Sequence, residues 1–189
     1  MSSELEKKPK EGGGVAAEAE LLVDFVNTRD VEEGTDSVAD AEALAAWASA
    51  RVDDLGALAT DPDAHRRVLG LREALRELLR ANNGEPTRDE LLEPLREAVA
   101  SSGYRARLGA GDLVLIEPAG QGLDALGARL LLAVERLQAA GEWPRLKACP
   151  AGDCEWAFHD TSRNRSRTWC SMEECGNRAK TRRYRARRS

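Results

Sequence analysis

A mainly α-helical chain with one small β-hairpin, an α+β fold, closed by a short cysteine-held module, is what the sequence predicts. Three observations carry that expectation. Apolar residues recur at helical spacing through most of the chain before residue 141, they alternate only around one Gly-rich stretch between Tyr104 and Glu117, and all four cysteines fall between Cys149 and Cys175. A chain of 189 residues with 42% apolar content is long enough for one core plus a small module.

Residues 1–14 are charged and contain Gly12-Gly13-Gly14, which reads as a disordered tail. Order is expected from Val15 to Asn27, where Leu21, Leu22, Phe25 and Val26 share one helical face; Asn27 and Thr28 read as its capped terminus. A second helix over residues 36–50 takes Asp40 as N-cap and turns Leu44, Trp47 and Ala48 inward. Asp61-Pro62 opens a long helix, with Val68, Leu71, Leu75, Leu78 and Leu79 on one stripe and Asn83-Gly84 at its end. His65 sits in the exposed first turn of that helix and is given no role.

Thr87-Arg88-Asp89-Glu90 has the form of a capping box, and Pro94 interrupts the helix that follows, so it should kink or restart there. Tyr104–Leu108 and Leu113–Glu117 flank Gly109-Ala110-Gly111-Asp112 as a hairpin. A last helix, Leu123 to Ala140, points Leu123, Leu126, Leu130, Val134 and Leu137 inward; Gly141 stops it and Trp143-Pro144 is the expected hinge. The expected units are therefore residues 15–142, helical, and residues 143–189, the cysteine module.

In that module Cys149-x4-Cys154 is followed, after fifteen residues, by Cys170-x4-Cys175. Two short-spaced thiolate pairs suit one tetrahedral Zn²⁺, and four thiolates close its coordination sphere, so the ion is structural and carries no reacting water. His159 could replace a cysteine but is not needed. Glu155–His159 and the residues around Thr168-Trp169 are expected to form two arms of a hairpin, and Cys175 to open a helix from Gly176 to about Arg187, a treble-clef-like arrangement. Trp156, Phe158 and Trp169 are expected to pack on the zinc ligands.

The net charge of −5 conceals a division: residues 145–189 hold twelve Lys/Arg and five Asp/Glu, +7, which leaves −12 before them. That asymmetry points to an anionic partner. Arg163, Arg165 and Arg167 in the loop and Arg178, Lys180, Arg182, Arg183 and Arg185 in the helix, continued by Arg187 and Arg188, are the candidate nucleic-acid contacts. Arg178, oriented by the metal through Cys175, is the one expected to be positioned, and the last arginines to give diffuse attraction. Double-stranded DNA is the partner expected; RNA, or an acidic protein surface such as the chain's own N-terminal part, remain alternatives.

No apolar run approaches the roughly 20 residues of a membrane span. The first twenty residues lack an apolar segment like that of a secretory signal, so a cytoplasmic, nucleoid-associated protein is expected. Two histidines outside any catalytic context, with no phosphate loop or Ser/His/Asp arrangement, argue against an enzyme.

Cys175-Gly176-Asn177-Arg178, with Trp169-Cys170-Ser171-Met172 and Cys149-Pro150 before it, resembles the CGNR-type zinc finger of bacterial transcription regulators. Asp24-Phe25-Val26-Asn27-Thr28 is similar to the opening of the ABATE domain that precedes this finger. The resemblance implies stress-linked transcriptional regulation, with the N-terminal domain sensing a small-molecule effector or holding a protein partner. It also implies a second reading of Asn27 and Thr28, with Trp47, as the lining of a ligand pocket. His159 departs from the pattern, which has an aromatic such as Tyr between the equivalents of Phe158 and Asp160.

Overall fold

The computed structural model describes residues 14–53, 55–58, 61–109 and 114–186. The tail before Gly14, the Ala110–Asp112 turn with Leu113, and Arg187 and Arg188 lie outside the described residues. The elements run α1 (Val15–Val26), β1 (Arg29–Asp30), β2 (Thr35–Asp36), α2 (Ala41–Ser49), α3 (Pro62–Ala81), α4 (Glu93–Ser101), β3 (Gly103–Leu108) and β4 (Val114–Ala119). They continue with α5 (Gly122–Ala139), β5 (Leu146–Ala148), β6 (Ala157–His159) and α6 (Asn177–Ala186). The strands form three separate antiparallel pairs, β1–β2, β3–β4 and β5–β6. Among the described residues, no helix is long and apolar enough to cross a membrane.

The helices form where caps and periodicity place them. Asp40 accepts the Ala43 N–H at 2.8 Å and Asp61 the Asp63 N–H at 2.9 Å, so each satisfies a donor the helix itself cannot. Gly141, at φ +68°, ends α5 in the left-handed region that glycine enters without steric cost. Leu22, Phe25 and Val26 of α1, Leu71, Leu75 and Leu79 of α3, and Leu126, Leu130 and Leu137 of α5 are nearly or fully buried in one cluster. Each such side chain contributes about 1.5–3 kcal/mol on leaving water.

Three local expectations give way to packing. Thr87 does not cap: a 3₁₀ turn at Asp89–Leu92 starts from Arg88, whose N–H is 2.7 Å from the buried Glu77 carboxylate on α3. The long-range ion pair wins because Glu77, once buried, needs a cation, and Arg88 supplies both guanidinium and backbone donors. The helix then restarts as α4 with Pro94 in its first turn, where a missing N–H costs nothing. His65 is not an exposed bystander, for its Nε2 lies 2.9 Å from the Val38 carbonyl oxygen and ties α3 to the segment before α2.

The third concerns the join at residue 143. Trp143–Arg145 form a 3₁₀ turn, with Trp143 packed on the helical core, and no hinge opens there. β5 pairs with β6 in the register Leu146↔His159, Lys147↔Phe158, Ala148↔Ala157, so the partner of β6 is the strand before the first cysteine and not the Thr168-Trp169 segment. Leu146, Ala148 and Ala157 belong to the same buried cluster as α1, α3 and α5. An alternating Leu-Lys-Ala strand can lay its apolar side on that core, which the Arg/Asn/Ser-rich loop cannot.

Because the hairpin completes the main core, Leu146→Ala is expected to cost about 2–5 kcal/mol in the unfolding of the whole chain. Denaturant unfolding followed on helix signal checks this. A helical transition that does not move would show that the two parts fold separately.

Candidate metal centre and nucleic-acid interface

β5 delivers Cys149 to the end of the hairpin, where its N–H donates to the Trp156 carbonyl at 2.9 Å. The chain then turns back tightly, with the Cys154 and Glu155 N–H groups both donating to the Ala151 carbonyl. Glu155 closes this knuckle at φ +53°, a conformation that non-glycine residues rarely adopt. Two contacts hold it there: Arg76 Nη1 donates to its carbonyl at 2.9 Å, and Arg80 and the Glu155 carboxylate form an ion pair.

The second cysteine pair is built around one π-helical turn, Met172–Gly176, which leads into α6. Ser171 caps it, its hydroxyl accepting from the Glu174 N–H at 3.2 Å. The four residues 175–178 each do a separate job. Cys175 supplies a thiol. Gly176 leaves room for Met172, whose Sδ would stand 2.5 Å from any Cβ placed there. Asn177 Nδ2 donates to the Glu173 carbonyl at 2.9 Å and ties the turn to the helix. Arg178 Nη2 donates to Cys175 Sγ at 3.1 Å.

The four sulfurs of Cys149, Cys154, Cys170 and Cys175 all lie within 4.8 Å of one another, with Cys154–Cys170 and Cys170–Cys175 both at 3.6 Å. Four thiolates about 2.3 Å from one tetrahedral Zn²⁺ stand about 3.8 Å apart, so the residues fit the ion. They hold a single structural zinc. His159 takes no part; its ring stands 3.6 Å from the Glu142 carboxylate. Burial pushes the Cys154 thiol up to about 12 and raises Cys170 as well. Burial opposes ionisation of Cys175 too, but the Arg178 guanidinium and the neighbouring thiols hold it below its ordinary value.

Trp169 packs on the cysteine cluster as expected, whereas Phe158 lies buried under the Arg167 guanidinium, 4.8 Å from the ring centre, and Trp156 is partly exposed. The loop carrying the arginines is organised by a pair that the sequence reading passed over. Asp160 is fully buried, and its carboxylate accepts from Lys147 Nζ at 2.7 Å and from the N–H groups of Ser162 and Arg167. Lys147 Nζ also donates to the Arg165 and Arg167 carbonyls, each at 2.9 Å. Burial would raise the Asp160 carboxyl, but these donors hold it well below the usual carboxylate range.

The candidate nucleic-acid residues divide. Arg163, Arg165, Lys180, Arg182, Arg183 and Arg185 are exposed, Arg182 lying 3.5 Å from Asp153 and Arg165 3.8 Å from Glu142. Arg167 is committed to the protein: besides stacking on Phe158, it donates to the Trp169 and Cys170 carbonyls. Arg178 is committed as well, to Cys175 and, at 2.6 Å, to Glu32 in the turn between β1 and β2.

The proposed ligand set does not converge on a cavity. Asn27 pairs in both directions with the Ala157 backbone, donating through Nδ2 at 2.9 Å and accepting through Oδ1 at 2.8 Å. The Thr28 hydroxyl donates to the Phe25 carbonyl and accepts from Arg72, and Trp47 is packed against Phe25 with ring centres 5.4 Å apart. The polar side chains of Asn27 and Thr28 are already used and Trp47 is buried in the core, so the pocket reading of these three is corrected. Asn27 joins the two parts of the chain instead.

Residues 19–141 match the sequence model of the ABATE family, described as "Putative stress-induced transcription regulator". The chain belongs to the ABATE family. Residues 145–188 match the CGNR zinc finger, so both members of the expected pair are present and follow one another directly. No curated protein matches the chain at a significant level. Within this ABATE protein the finger is fastened by polar anchors: Asn82 Nδ2 donates to the Trp143 and Leu146 carbonyls, each at 2.9 Å, and Asn83 Nδ2 to those of Ala148 and Thr168. Arg72, Arg76, Asn82, Asn83, Lys147 and Asp160 are the residues that sequence reasoning missed. The available signal was charge inside an apolar pattern: Arg72 and Arg76 are one helical turn apart on the stripe of Leu71 and Leu75.

The purified protein should carry one zinc per chain, and chelation should lower the stability of the helical part as well as unfold the finger, since structural zinc sites in finger peptides supply roughly 10–16 kcal/mol of apparent binding energy. Zinc binding must displace the protons that burial keeps on Cys154 and Cys170, so affinity should fall as pH falls. Metal analysis and chelator titration followed by circular dichroism check both. Asp160→Asn leaves Lys147 buried without its counter-charge and should cost about 3–5 kcal/mol at neutral pH. Because the Asp160 carboxyl is held low, its stabilisation is fully present above the unfolded value of about 4 and is lost as pH drops toward the folded value, so the variant's deficit should shrink in acid.

Proposed function

We propose that the protein is a zinc-stabilised regulator that binds nucleic acid, double-stranded DNA in the first instance, through α6 and the Arg163/Arg165 loop, while the ABATE domain senses a small molecule. One observation carries the nucleic-acid reading. α6 contains Arg178, Lys180, Arg182, Arg183 and Arg185, and none of its residues is buried. A helix that serves no core and is so densely cationic should be weak in isolation, since like charges three and four residues apart repel. Its anchoring through the zinc turn makes sense if an anionic polymer lies along it. The transcription-regulator description of the family supports DNA as that polymer.

The reading is of a binding protein and not a catalyst. His65 is tied to the Val38 carbonyl and His159 stands beside Glu142, while the four sulfurs leave a zinc ion no open position.

Arg178 is the informative residue. It stands where the first turn of the helix would meet a phosphate, yet Glu32 holds it there with a carboxylate. Glu32 and Glu33 face Asn177, Arg178, Thr181, Arg182 and Arg185 across a cleft, so the acidic turn occupies one side of the basic helix. An incoming phosphate competes with that turn.

With about four phosphates neutralised by the exposed cations, log K should fall with log salt at a slope of about −3 to −4, near −0.9 per contact. Glu32→Gln should strengthen binding and steepen the slope by about one, because Arg178 becomes available. Fluorescence anisotropy with a DNA duplex and an RNA hairpin, across a salt series, measures both slope and preference. A slope near zero would remove nucleic acid as the partner, and a preference for the hairpin would replace DNA by RNA.

A further inference from the structure

Asn27, expected to line a ligand pocket, is consumed in holding the finger and Thr28 in bonding Phe25 and Arg72, but a different cavity lies on the opposite half of α3. A cleft of about 380 Å³ opens between α3, α4, the ends of β3 and β4 that meet the helices, and the first turns of α5. Its size falls in the range of small-molecule sites, about 300–1,000 Å³. Val68, Leu71, Leu123 and Ala98 give it an apolar floor, and Arg67, Glu97 and Asp124 stand on its rim.

Two features set it apart from an ordinary packing defect. Gly127 lies in the second turn of α5, inside the helix where glycine is unfavourable, and nothing outside the helix's own backbone stands within 4 Å of where its Cβ would be. The space is therefore kept open by the absence of a side chain that the helix would welcome. The rim is also unbalanced in charge. Arg67 is paired with Asp124 at 2.9 Å, whereas the Glu97 carboxylate has no hydrogen-bond or ion-pair partner among the described residues. One uncompensated negative charge beside an apolar floor complements a compact apolar cation.

We propose that this cleft is the effector site of the ABATE domain and that it binds a small ring-bearing amine, the ring on the Val68–Leu71–Leu123 floor and the ammonium toward Glu97. The proposal rests on the reading of that domain as a sensor. α3 supplies the link, for Arg67, Val68 and Leu71 wall the cleft while Arg76 and Arg80 farther along the same helix, with Asn82 and Asn83 just past its end, hold the finger. A ligand that shifts or stiffens the first half of that helix acts on the anchors of the second.

The test uses the full zinc-loaded chain and three probes of one shape and different charge: tryptamine, indole and indole-3-acetate. Thermal unfolding and titration calorimetry should show binding in the order tryptamine, indole, indole-3-acetate. Glu97→Gln should bring tryptamine down to the affinity of indole, a loss of about fivefold for an exposed ion pair. Gly127→Leu should fold at least as stably as the parent and bind none of the three. Absence of binding to the parent chain, or binding that survives in Gly127→Leu, overturns the proposal. Tryptamine binding that Gly127→Leu abolishes, without any effect of tryptamine on nucleic-acid affinity, keeps the site and refutes the sensor reading on which its role rests.

Discussion

Arg76 is the contact on which most of this structure turns. Its guanidinium, almost wholly buried, donates to the Val26 carbonyl at the end of α1, to the Arg29 carbonyl at the start of β1, and to the Glu155 carbonyl at the zinc knuckle. Two stretches of chain far apart in sequence, the α1–β1 junction and the zinc knuckle, are thereby fixed to one point on α3. Burial works against the charge, and the Glu73 carboxylate at 3.1 Å works for it. Only a planar fork with five donors can serve three carbonyls and a carboxylate at once, so lysine is no substitute. Arg72, one turn earlier, does the same for Asp36 and Thr28.

This explains which parts of the molecule could be read from the sequence. Helix positions were legible because caps and apolar spacing are local: Asp40, Asp61 and Gly141 act on residues within a turn of themselves. The metal site was legible because two pairs of thiols at short spacing have few other uses. What could not be read was the pairing of polar groups over long distances. Asn27 looks like a helix terminus from its neighbours, and only the return of the chain 130 residues later gives its amide a backbone partner. Thr87 failed as a cap for the converse reason, since a buried carboxylate eleven residues upstream of Arg88 made the stronger demand. In the finger, charge suggested which segment was loop but not which strand would face the core.

The charge division within the sequence also looks different once folded. The basic segment does not present its full excess to solvent, because two acidic residues from outside it stand against it, Glu32 beside Arg178 and Glu142 beside Arg145 and Arg165. These contacts are partly exposed and individually weak, of the order of 1 kcal/mol or less. Their effect is to shape the field rather than to stabilise the fold. The acidic turn screens the side of α6 that carries Arg178 and Arg182, which leaves Lys180 and Arg183 on the less screened part of the helix.

The shared core has a consequence for the order in which the molecule is made. Translation releases α1, α3 and α5 first, at about 5–20 residues per second, and the segments that complete their packing come last. Until Leu146, Ala148 and Ala157 emerge, the helices lack one wall, and Arg76 lacks the Glu155 carbonyl. The knuckle that presents this carbonyl is itself secured by the metal. A cell short of zinc would therefore accumulate chains whose older, apparently self-sufficient half stays loosely packed and open to proteases, so metal supply governs the abundance of the whole protein and not merely the activity of its tail.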